Sequence, residues 1–538
     1  MPAGTRTFGL RETLIGPQVL PPPPTRHALL AFVVALAAVL HLGTAGWSDI
    51  HNGPEGYYAG SAREWFDGGA IPPGPPLLSW LLRASYAVVG TTAIAARLPI
   101  ALATVAAVAL TFLIGERIAG FWRGYLAALI HLCSLGTFVW GRLVTPDPVL
   151  AAVVAGALYC GVRGYQDQQT RRRWFAGVAA CCGLACLTRG LAGLAYVAAI
   201  FILLALFFRE ARMRFRLLLS PPCLLVFLAV LLPWPVWLYR EAPPAHGWAS
   251  LLAFPPDGDG VPLARFVLQQ LGWLFPGLAL VLPGVAFAAR KVFRPHEFDL
   301  ADALPLCWAA VGLLPLLLLP GHQDHHAVAA WGGIALCVAS AWDRTPPRLR
   351  IAGVGLTAIV VLGAMAGTAA GLLPAVFRGE ATWNALEWMI ISMGVLLLVA
   401  AAIAIYFLAR GRETIALALL YLTMVPIGLS VAEGMVRFDA HFSLARAAAF
   451  LERRLGEAGE VLYEGAAAEG SSLRFYLDRP FTLVDEDAAI EKFSAPHPVY
   501  LIINKERVPF WQARLTEQFH LYHQETTCGE HVVLSNQP

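Results

Sequence analysis

Long apolar stretches recur from His27 to about Val431, and the last hundred or so residues alternate polar and apolar positions as soluble domains do. A helix needs about 20 mostly apolar residues to cross the ~30 Å hydrocarbon core of a bilayer. The pattern therefore predicts an α-helical polytopic membrane protein with a small soluble domain at its C-terminal end. About thirteen spans are predicted, starting near residues 28, 96, 122, 147, 172, 190, 216, 269, 302, 326, 350, 386 and 414.

The first external loop, residues 47–95, is predicted to carry two helices that lie in the membrane interface. Residues 55–66 form an aromatic, amphipathic run that ends at Asp67-Gly68-Gly69. The stretch from Pro75 to Gly90 is too short to span, is interrupted by Arg83 and follows "IPPGPP". We therefore interpret it as an interfacial helix rather than a span.

The start of the first interfacial helix leaves two interpretations of Glu55 open. Asn52 followed three residues later by Glu55 is a variant of the capping box, and Pro54 suits a first helical turn. Glu55 would then return a hydrogen bond to the backbone of the cap. The same geometry would also hold this carboxylate at the membrane surface, where it could perform chemistry.

Composition and charge fix the class and the orientation. Of the 538 residues, 57% are hydrophobic and 14% charged, which excludes an ordinary soluble protein. Arginines recur in every second loop, which places these loops and the Pro-rich leader 1–27 in the cytoplasm. With thirteen spans in the domain 28–432, the domain 442–538 lies outside. The external loops hold the acids and histidines, among them Asp49, Glu55, Asp67, Asp147, Glu241, His246, Asp257, Asp259, His322, Asp324, His325 and His326.

The domain 442–538 alternates helix-like stretches such as "LARAAAFLERRL" with strand-like stretches such as "PVYLIINK" and "HVVLSN". This alternation predicts a small α/β domain. It contains no glycine-rich phosphate loop and no metal-spaced cluster, so an accessory role is predicted. Cys528 is its only cysteine, which excludes a disulfide framework there.

Seven motifs occur in a characteristic order: "PEGYYAGSAREW", "PPLLSWLL", "RLPIALATVAAVALTFLIGERIAG", "TPDPVLAA", "LTRGLAGLA", "LPWPVWLY" and "HQDHHAVAAW". In this order and spacing the chain resembles polytopic polyprenyl-phosphate-sugar glycosyltransferases. The similarity is to the aminoarabinose transferase of lipid A (ArnT-like) and its protein-mannosyltransferase-like relatives, which have the GT-C fold. It covers nearly the whole chain, including "SSLRFYLDRPFTLV" near the C-terminal end.

The resemblance implies an inverting glycosyltransferase of the bacterial inner membrane with its site on the periplasmic face. The implied partners are a polyprenyl-phosphate-linked sugar donor, a lipid or cell-envelope glycan acceptor and the membrane itself, with no nucleic acid. A second hypothesis is a lipid-binding or transport protein that kept the scaffold but lost transfer. It is motivated by departures from the family pattern: Pro54 replaces the Asp of an Asp-Glu pair, and Pro73-Gly74 replaces Glu-Lys.

The chemistry implied by the resemblance requires a carboxylate and cations. A carboxylate deprotonates an acceptor hydroxyl or stabilises positive charge on the sugar, and cations neutralise the leaving phosphate. The candidate carboxylates are Glu55, Asp147 and Asp49, in that order. The candidate groups for the donor phosphate or the substrate are Arg142, Arg189, Tyr58 and His325. Asp147 could instead simply favour a helix N-terminus, and each arginine could snorkel to the headgroups.

The "HQDHH" cluster adds an alternative role for histidines. His322 and His326 are four residues apart and would share one face of a helix that began there, as ligands of a divalent metal do. A grip on an acidic acceptor is the competing interpretation. No other cofactor is predicted.

Overall fold

The computed structural model of the protein describes residues 23–69, 71–72, 74–241, 261–277, 290, 299–318, 323–342, 345–371, 381–455, 459–466, 469–517 and 522–537. Within these ranges the chain is a helical membrane bundle followed by one small sheet near the C-terminal end. The predicted fold class is therefore confirmed. Helices and strands are numbered below in chain order.

Two short helices lie between the first long ones, as predicted for the first external loop. α2 starts at Pro54, because proline suits the first helical turn and its missing N–H is not needed there. α3 is 13 residues long, a rise of roughly 20 Å that is too short to cross a bilayer. The bounds are α1 Pro23–His41, α2 Pro54–Phe66, α3 Leu77–Val89 and α4 Ala93–Ala119.

The remaining helices of the bundle follow the predicted order, and several spans are interrupted. Cys133 and Ser134 separate α5 from α6, and Leu232 separates α10 from α11. The bounds are α5 Phe121–Leu132, α6 Leu135–Trp140, α7 Pro146–Gln166, α8 Arg171–Phe207, α9 Arg209–Phe215, α10 Pro221–Leu231, α11 Pro233–Glu241, α12 Leu263–Trp273, α13 Leu300–Leu318, α14 Trp331–Trp342, α15 Pro347–Ala369, α16 Ala381–Ala409, α17 Glu413–Leu422 and α18 Met424–Phe442. Short 3-10 turns occupy Arg216–Leu219 and Asp324–Ala330.

α8 contains a sharp reversal at Arg189 and Gly190. Gly190 has φ 61° and ψ −147°, a conformation that side chains rarely allow, and Arg189 is also non-helical. A Cβ on Gly193 would contact the carbonyl oxygen of Ala185, whereas eight residues of straight helix would separate these positions by about 12 Å. The two halves of α8 therefore run antiparallel as a tight hairpin, which accounts for the separate spans predicted near residues 172 and 190.

Eight helical segments in the described ranges are long and apolar enough to cross a membrane. The count of thirteen spans stays a prediction, because the span predicted near residue 269 extends beyond α12 into residues outside the described ranges. The eight segments are Ala93–Ala119, Pro146–Gln166, Arg171–Phe207, Pro221–Arg240, Leu300–Leu318, Pro347–Ala369, Leu386–Ala409 and Glu413–Phe442.

The bundle core is held by close approach of small and large side chains. Gly332 and Gly333 on α14 lie directly against the buried Trp308 of α13. Gly115 on α4 faces Gly124 on α5, so these two backbones approach closely. Small residues are favoured at such interfaces because lipid supplies little hydrophobic drive between helices.

The C-terminal domain forms a five-stranded mixed sheet with strand order β2-β1-β3-β5-β4. β1 is parallel to β2 and β3, and β5 is antiparallel to β3 and β4. The predicted α/β character is confirmed. The elements are α19 Ala445–Arg454, β1 Glu460–Glu464, α20 Leu473–Tyr476, β2 Thr482–Val484, α21 Glu486–Phe493, β3 Val499–Asn504, α22 Val508–Glu517, β4 His523–Cys528 and β5 His531–Ser535, with a 3-10 turn at Lys505–Arg507.

Candidate functional site

Glu55 is buried at the start of α2, where it forms a two-point ion pair with Arg97 of α4. Nε of Arg97 donates to Oε1 of Glu55 at 2.9 Å and Nη2 donates to Oε2 at 3.0 Å. The backbone N–H of His51 donates to Oε2 at 3.0 Å, and that of Val144 to Oε1 at 3.3 Å. Each carboxylate oxygen thus receives two hydrogen bonds, which uses the full acceptor capacity of the group.

Arg97 is equally saturated and ties the first external loop to α4. Besides Glu55, its Nη1 donates to the carbonyl oxygens of Ala45 at 3.0 Å and Ser48 at 2.6 Å. Its Nη2 also donates to the carbonyl of Asp49 at 2.5 Å. All five N–H groups of the guanidinium are therefore engaged, and the side chain is 1% exposed. The Glu55–Arg97 pair therefore holds the backbone of residues 45–55 against the N-terminal end of α4.

The capping interpretation of this helix start needs correction. The cap residue of α2 is Gly53, with no side-chain cap hydrogen bond. The side chain of Asn52 instead accepts from the backbone N–H and hydroxyl of Ser472 in the C-terminal domain. Glu55 does accept a backbone N–H just before the helix, from His51. Burial alone would raise the pKa of Glu55, but Arg97 and then the hydrogen bond from His51 hold it below the ordinary value of 4.5.

Asp147 forms a second buried ion pair at the start of α7. Nη2 of Arg189, at the tip of the α8 hairpin, lies 2.5 Å from Oδ2 of Asp147. Nε2 of His325 lies 3.7 Å from the same oxygen, and its ring packs 5.0 Å from that of Trp140. Asp147 also sits in the first turn of a helix, where the N-terminal dipole favours an anion. Arg189 is thus buried and ion-paired and does not snorkel to the headgroups.

The loop between α6 and α7, residues 141–145, connects the two ion pairs. Val144 in this loop contacts Glu55, and Asp147 follows three residues later. Arg142 is 3% exposed and donates through Nη2 to the carbonyl of Leu40 at 3.2 Å. Its Nε has no hydrogen-bond partner, and the guanidinium forms no ion pair, among the described residues. Burial and then the charge of Arg97 lower the pKa of Arg142 to about 10, so it stays cationic at neutral pH.

Asp49 lies at the edge of this region, half-buried beside a further carboxylate. Its backbone N–H donates to Oδ2 of Asp439 on α18 at 3.1 Å, and Nε2 of His51 lies 2.8 Å from Oδ1 of the same residue. Burial, and then the charge of Asp439, raise the pKa of Asp49 above its ordinary value of 3.8. The pKa of Asp49 is thus shifted toward neutrality, whereas that of Glu55 is shifted away from it.

The structure also places two further predicted residues, Tyr58 and His326. The ring of Tyr58 packs edge-on against Tyr57 with centroids 5.2 Å apart, beside the cluster around Ile50. His326 packs against His325, with ring centroids 4.7 Å apart. His322 lies outside the described residues. Within the described ranges no group of three or more His, Cys, Asp or Glu is arranged to hold a metal ion, and the metal site at His322 and His326 stays a prediction.

Sequence reasoning missed Arg97, Asp439 and Tyr476, which shape this site. The sequence did contain an indication of Arg97, which is a charged residue at the start of an otherwise apolar span. Burying such a charge in a membrane costs free energy unless it is paired or functional. Asp439 is the last acid before the C-terminal domain and contacts residues 388 and 390 positions earlier. Tyr476 accepts the backbone N–H of Ile50 at 2.6 Å across 426 positions. No local pattern indicates contacts of this range.

The raised pKa of Asp49 predicts a pH-dependent gain from its removal. The folded protein favours the protonated form, so ionisation of Asp49 begins to oppose folding above the ordinary value of 3.8 and does so fully once the pH exceeds the raised pKa. Asp49→Asn should therefore raise the thermal midpoint in detergent at about pH 7. The gain should disappear as the pH falls below the ordinary value of 3.8, where both forms of the site are neutral. A gain of equal size at both pH values would contradict this origin.

The comparisons with known proteins agree with this architecture. Residues 73–237 match a family model described as dolichyl-phosphate-mannose-protein mannosyltransferase. The chain is 25% identical over 263 residues to the undecaprenyl phosphate-alpha-4-amino-4-deoxy-L-arabinose arabinosyl transferase of Photorhabdus laumondii subsp. laumondii. This match covers 45% of the chain and 46% of that protein, so the chain spans about half the length of the curated relative it matches.

Two solved structures share the fold over nearly the full length. ArnT from Cupriavidus metallidurans, bound to undecaprenyl phosphate, aligns with a TM-score of 0.78 at 20% identity, covering 95% of this chain and 98% of that chain. The apo structure of the same protein gives the same values. The predicted resemblance is therefore confirmed for the fold: this multi-pass membrane chain shares the fold of ArnT from Cupriavidus metallidurans and is similar over part of its length to the arabinosyl transferase.

Proposed function

We propose that the chain is a glycosyltransferase of the bacterial inner membrane, with its N-terminus in the cytoplasm and its site and C-terminal domain facing the periplasm. It moves a sugar from a polyprenyl-phosphate donor to a lipid or cell-envelope glycan acceptor. The similar arabinosyl transferase and the undecaprenyl-phosphate-bound ArnT support the donor class. The observation that carries the proposal is the buried Arg142, a cation without an acidic partner among the described residues.

The charges around the 141–145 loop favour a bound anion. Glu55 pairs with Arg97, and Asp147 pairs with Arg189. Of these three arginines, Arg142 is the one that forms no ion pair among the described residues. A buried charge without a counter-ion is costly, and a phosphate on the donor would supply the missing charge. A guanidinium suits this task because its fork of donors matches phosphate oxygens. Arg142 is therefore assigned to the carrier phosphate, and Arg189 to holding Asp147 beside it.

The transfer step requires little proton chemistry on the leaving side. The bond between the anomeric carbon and the phosphate oxygen breaks, its electron pair leaves with the polyprenyl phosphate, and an acceptor oxygen bonds to the anomeric carbon. Arg142 stabilises the charge that develops on the phosphate. Asp147 stabilises the oxocarbenium character of the sugar or takes the proton of a hydroxyl acceptor, and Asp49 is the second candidate. Glu55, with all its acceptor positions filled, holds the loop in place.

Release of free carrier lipid tests the function directly. The full chain in lipid nanodiscs is supplied with polyprenyl phosphates carrying radiolabelled sugars and with an envelope lipid extract as acceptor. A glycosyltransferase transfers label to the acceptor and releases one polyprenyl phosphate for each sugar transferred. The lipid-binding or transport hypothesis predicts donor binding without either product. Retained binding with no transfer across the donors tested would therefore favour that second hypothesis.

Arg142→Met should weaken use of the donor while leaving the fold intact. A hydrogen bond to a charged group contributes about 1.5–3 kcal/mol, so KM for the donor should rise by about 10- to 150-fold. The measurement is initial rate against donor concentration in nanodiscs. Arg437→Gln is the matched control, because this arginine is exposed on α18 and its ion pair among the described residues is with Glu433 one turn away. A lower thermal midpoint with an unchanged donor KM would instead show that Arg142 serves to hold the C-terminal end of α1, where it donates to the carbonyl of Leu40.

A further inference from the structure

We propose that the segment Ser471–Tyr476 of the C-terminal domain positions the first external loop for sugar transfer, so that this domain forms part of the transfer site. The inference rests on the proposed function and gives the domain a role beyond the accessory one predicted from its sequence. Ser471–Tyr476 is referred to below as the clamp segment. It includes α20 and lies against α2 and the residues that precede it.

The clamp segment supplies acceptors for backbone N–H groups of the loop. The hydroxyl of Tyr476 accepts the N–H of Ile50 at 2.6 Å. Oγ of Ser471 accepts the N–H of Gly53 at 2.8 Å and donates to the carbonyl of the same residue at 3.0 Å. These contacts bracket residues 50–53, which lie between Asp49 and Glu55. They hold backbone groups that would otherwise lie unpaired at a buried junction.

Side chains of α2 and of the residue before its cap complete the junction from the other side. Asn52 accepts the N–H of Ser472 at 3.0 Å and its hydroxyl at 2.6 Å. Arg63 donates to the carbonyl of Phe475 and forms an ion pair with Asp478. These contacts bind the C-terminal domain to the residues just before α2 and to the third turn of α2.

Two glycines allow this close approach. Gly56 and Gly60 are four residues apart and share one face of α2. A Cβ on Gly56 would lie 2.6 Å from the backbone N of Ser472, and one on Gly60 would lie 2.6 Å from Cβ of Arg474. Contacts below 3.0 Å force movement, and at Gly56 the neighbour is backbone. The glycine spacing in "PEGYYAGS" therefore provides a docking face for the clamp segment.

The clamp acts on the site through the Glu55–Arg97 pair. Arg97 donates to the carbonyl of Asp49, one residue before the N–H that Tyr476 accepts. His51 and Val144 both donate to Glu55, so a shift of residues 49–53 is passed through Val144 to the start of α7, which carries Asp147. Tyr476 and Ser471 are consequently positioning residues. Their removal should lower the turnover number more than it changes donor affinity.

The test uses the full chain and two variants that each remove one acceptor, Tyr476→Phe and Ser471→Ala. Each should lower kcat about fivefold, equivalent to about 1 kcal/mol for one hydrogen bond, with the donor KM changed less than about twofold. Hydrogen exchange measured by mass spectrometry should speed up in the peptide covering residues 49–56 and stay unchanged in β3 and β5. The matched controls are Tyr500→Phe, whose hydroxyl contacts the carbonyl of Arg454 within the domain, and Ser535→Ala.

The outcomes separate this inference from the proposed function. Hydrogen exchange is measured without substrate. Faster exchange of residues 49–56 in the two variants therefore supports the positioning role of the clamp segment even if the protein transfers sugar from none of the donors tested. Wild-type kcat in both variants would overturn the positioning role while leaving the transferase activity established. Faster exchange in β3 and β5 that equals the change in the loop would also overturn it, because the hydroxyls would then stabilise the domain rather than the loop.

Discussion

Glu55→Gln is expected to destabilise the protein by about 3–5 kcal/mol and to abolish transfer, because it leaves the buried Arg97 without its counter-charge. Arg97 is 1% exposed and cannot turn to solvent. Gln keeps the shape but offers one acceptor oxygen where the site needs two, since both oxygens of Glu55 accept paired donors. The measurement is the thermal midpoint in detergent together with the release of polyprenyl phosphate in nanodiscs.

The matched control is Glu64→Gln on the same helix. Glu64 is exposed, and its contact with Arg474 is 3.9 Å long, so its loss should change stability by less than about 1 kcal/mol. The double variant Glu55→Gln/Arg97→Met removes both buried charges and should recover much of the lost stability without recovering transfer. Full stability of Glu55→Gln combined with complete loss of transfer would contradict a positioning role and identify Glu55 as a catalytic base.

Asp147→Asn is expected to lower kcat by about 10²- to 10⁴-fold, the range for loss of a group that acts directly on the reacting atoms. The carboxylate holds Arg189 at 2.5 Å and faces His325, so the substitution removes both a charge and the partner of a buried cation. Some loss of stability should accompany the loss of activity. Initial rates at saturating donor and the thermal midpoint are the two measurements.

A double variant separates the two consequences. Asp147→Asn/Arg189→Gln also removes the cation that Asp147 pairs with and should restore stability, whereas kcat should stay low because the carboxylate is still absent. Asp67→Asn is the control, since Asp67 is 54% exposed in the same external region. Recovery of kcat in the double variant would show that Asp147 serves only to neutralise Arg189, and Asp49 would then be the remaining candidate for the reacting carboxylate.

Much of the architecture could be predicted because its causes are local. Apolar length determines a span, and a proline at residue 54 together with the acid that follows it indicates where α2 begins. In the C-terminal domain, β5 is buried along its whole length and β3 up to its last residue, and both form largely apolar runs in the sequence. The strand β4, "HQETTC", was missed because it is a largely exposed edge strand without an apolar alternation.

The site could be predicted only as a set of residues. Glu55, Asp147, Arg142 and Arg189 are all buried, but their pairing depends on which helices meet. The partner of Glu55 is 42 residues away on α4, and that of Asp147 is 42 residues away at a helix reversal. Asn52 does not cap α2, because its side-chain oxygen accepts a hydrogen bond from Ser472, 420 residues later in the chain. Local propensity cannot weigh such distant partners.

The reversal at Gly190 also constrains how the chain enters the membrane during synthesis. Each half of α8 rises roughly 25–27 Å, so the two halves form a helical hairpin that reaches across the bilayer with Arg189 at its tip. On translocon scales an arginine at the centre of a span costs about 2.5–3.5 kcal/mol, so the place of Arg189 at the turn of the hairpin, away from the middle of either half, keeps this cost low. α7 precedes the hairpin in the chain and carries Asp147 in its first turn. The counter-ion of Arg189 is therefore synthesised before the arginine itself.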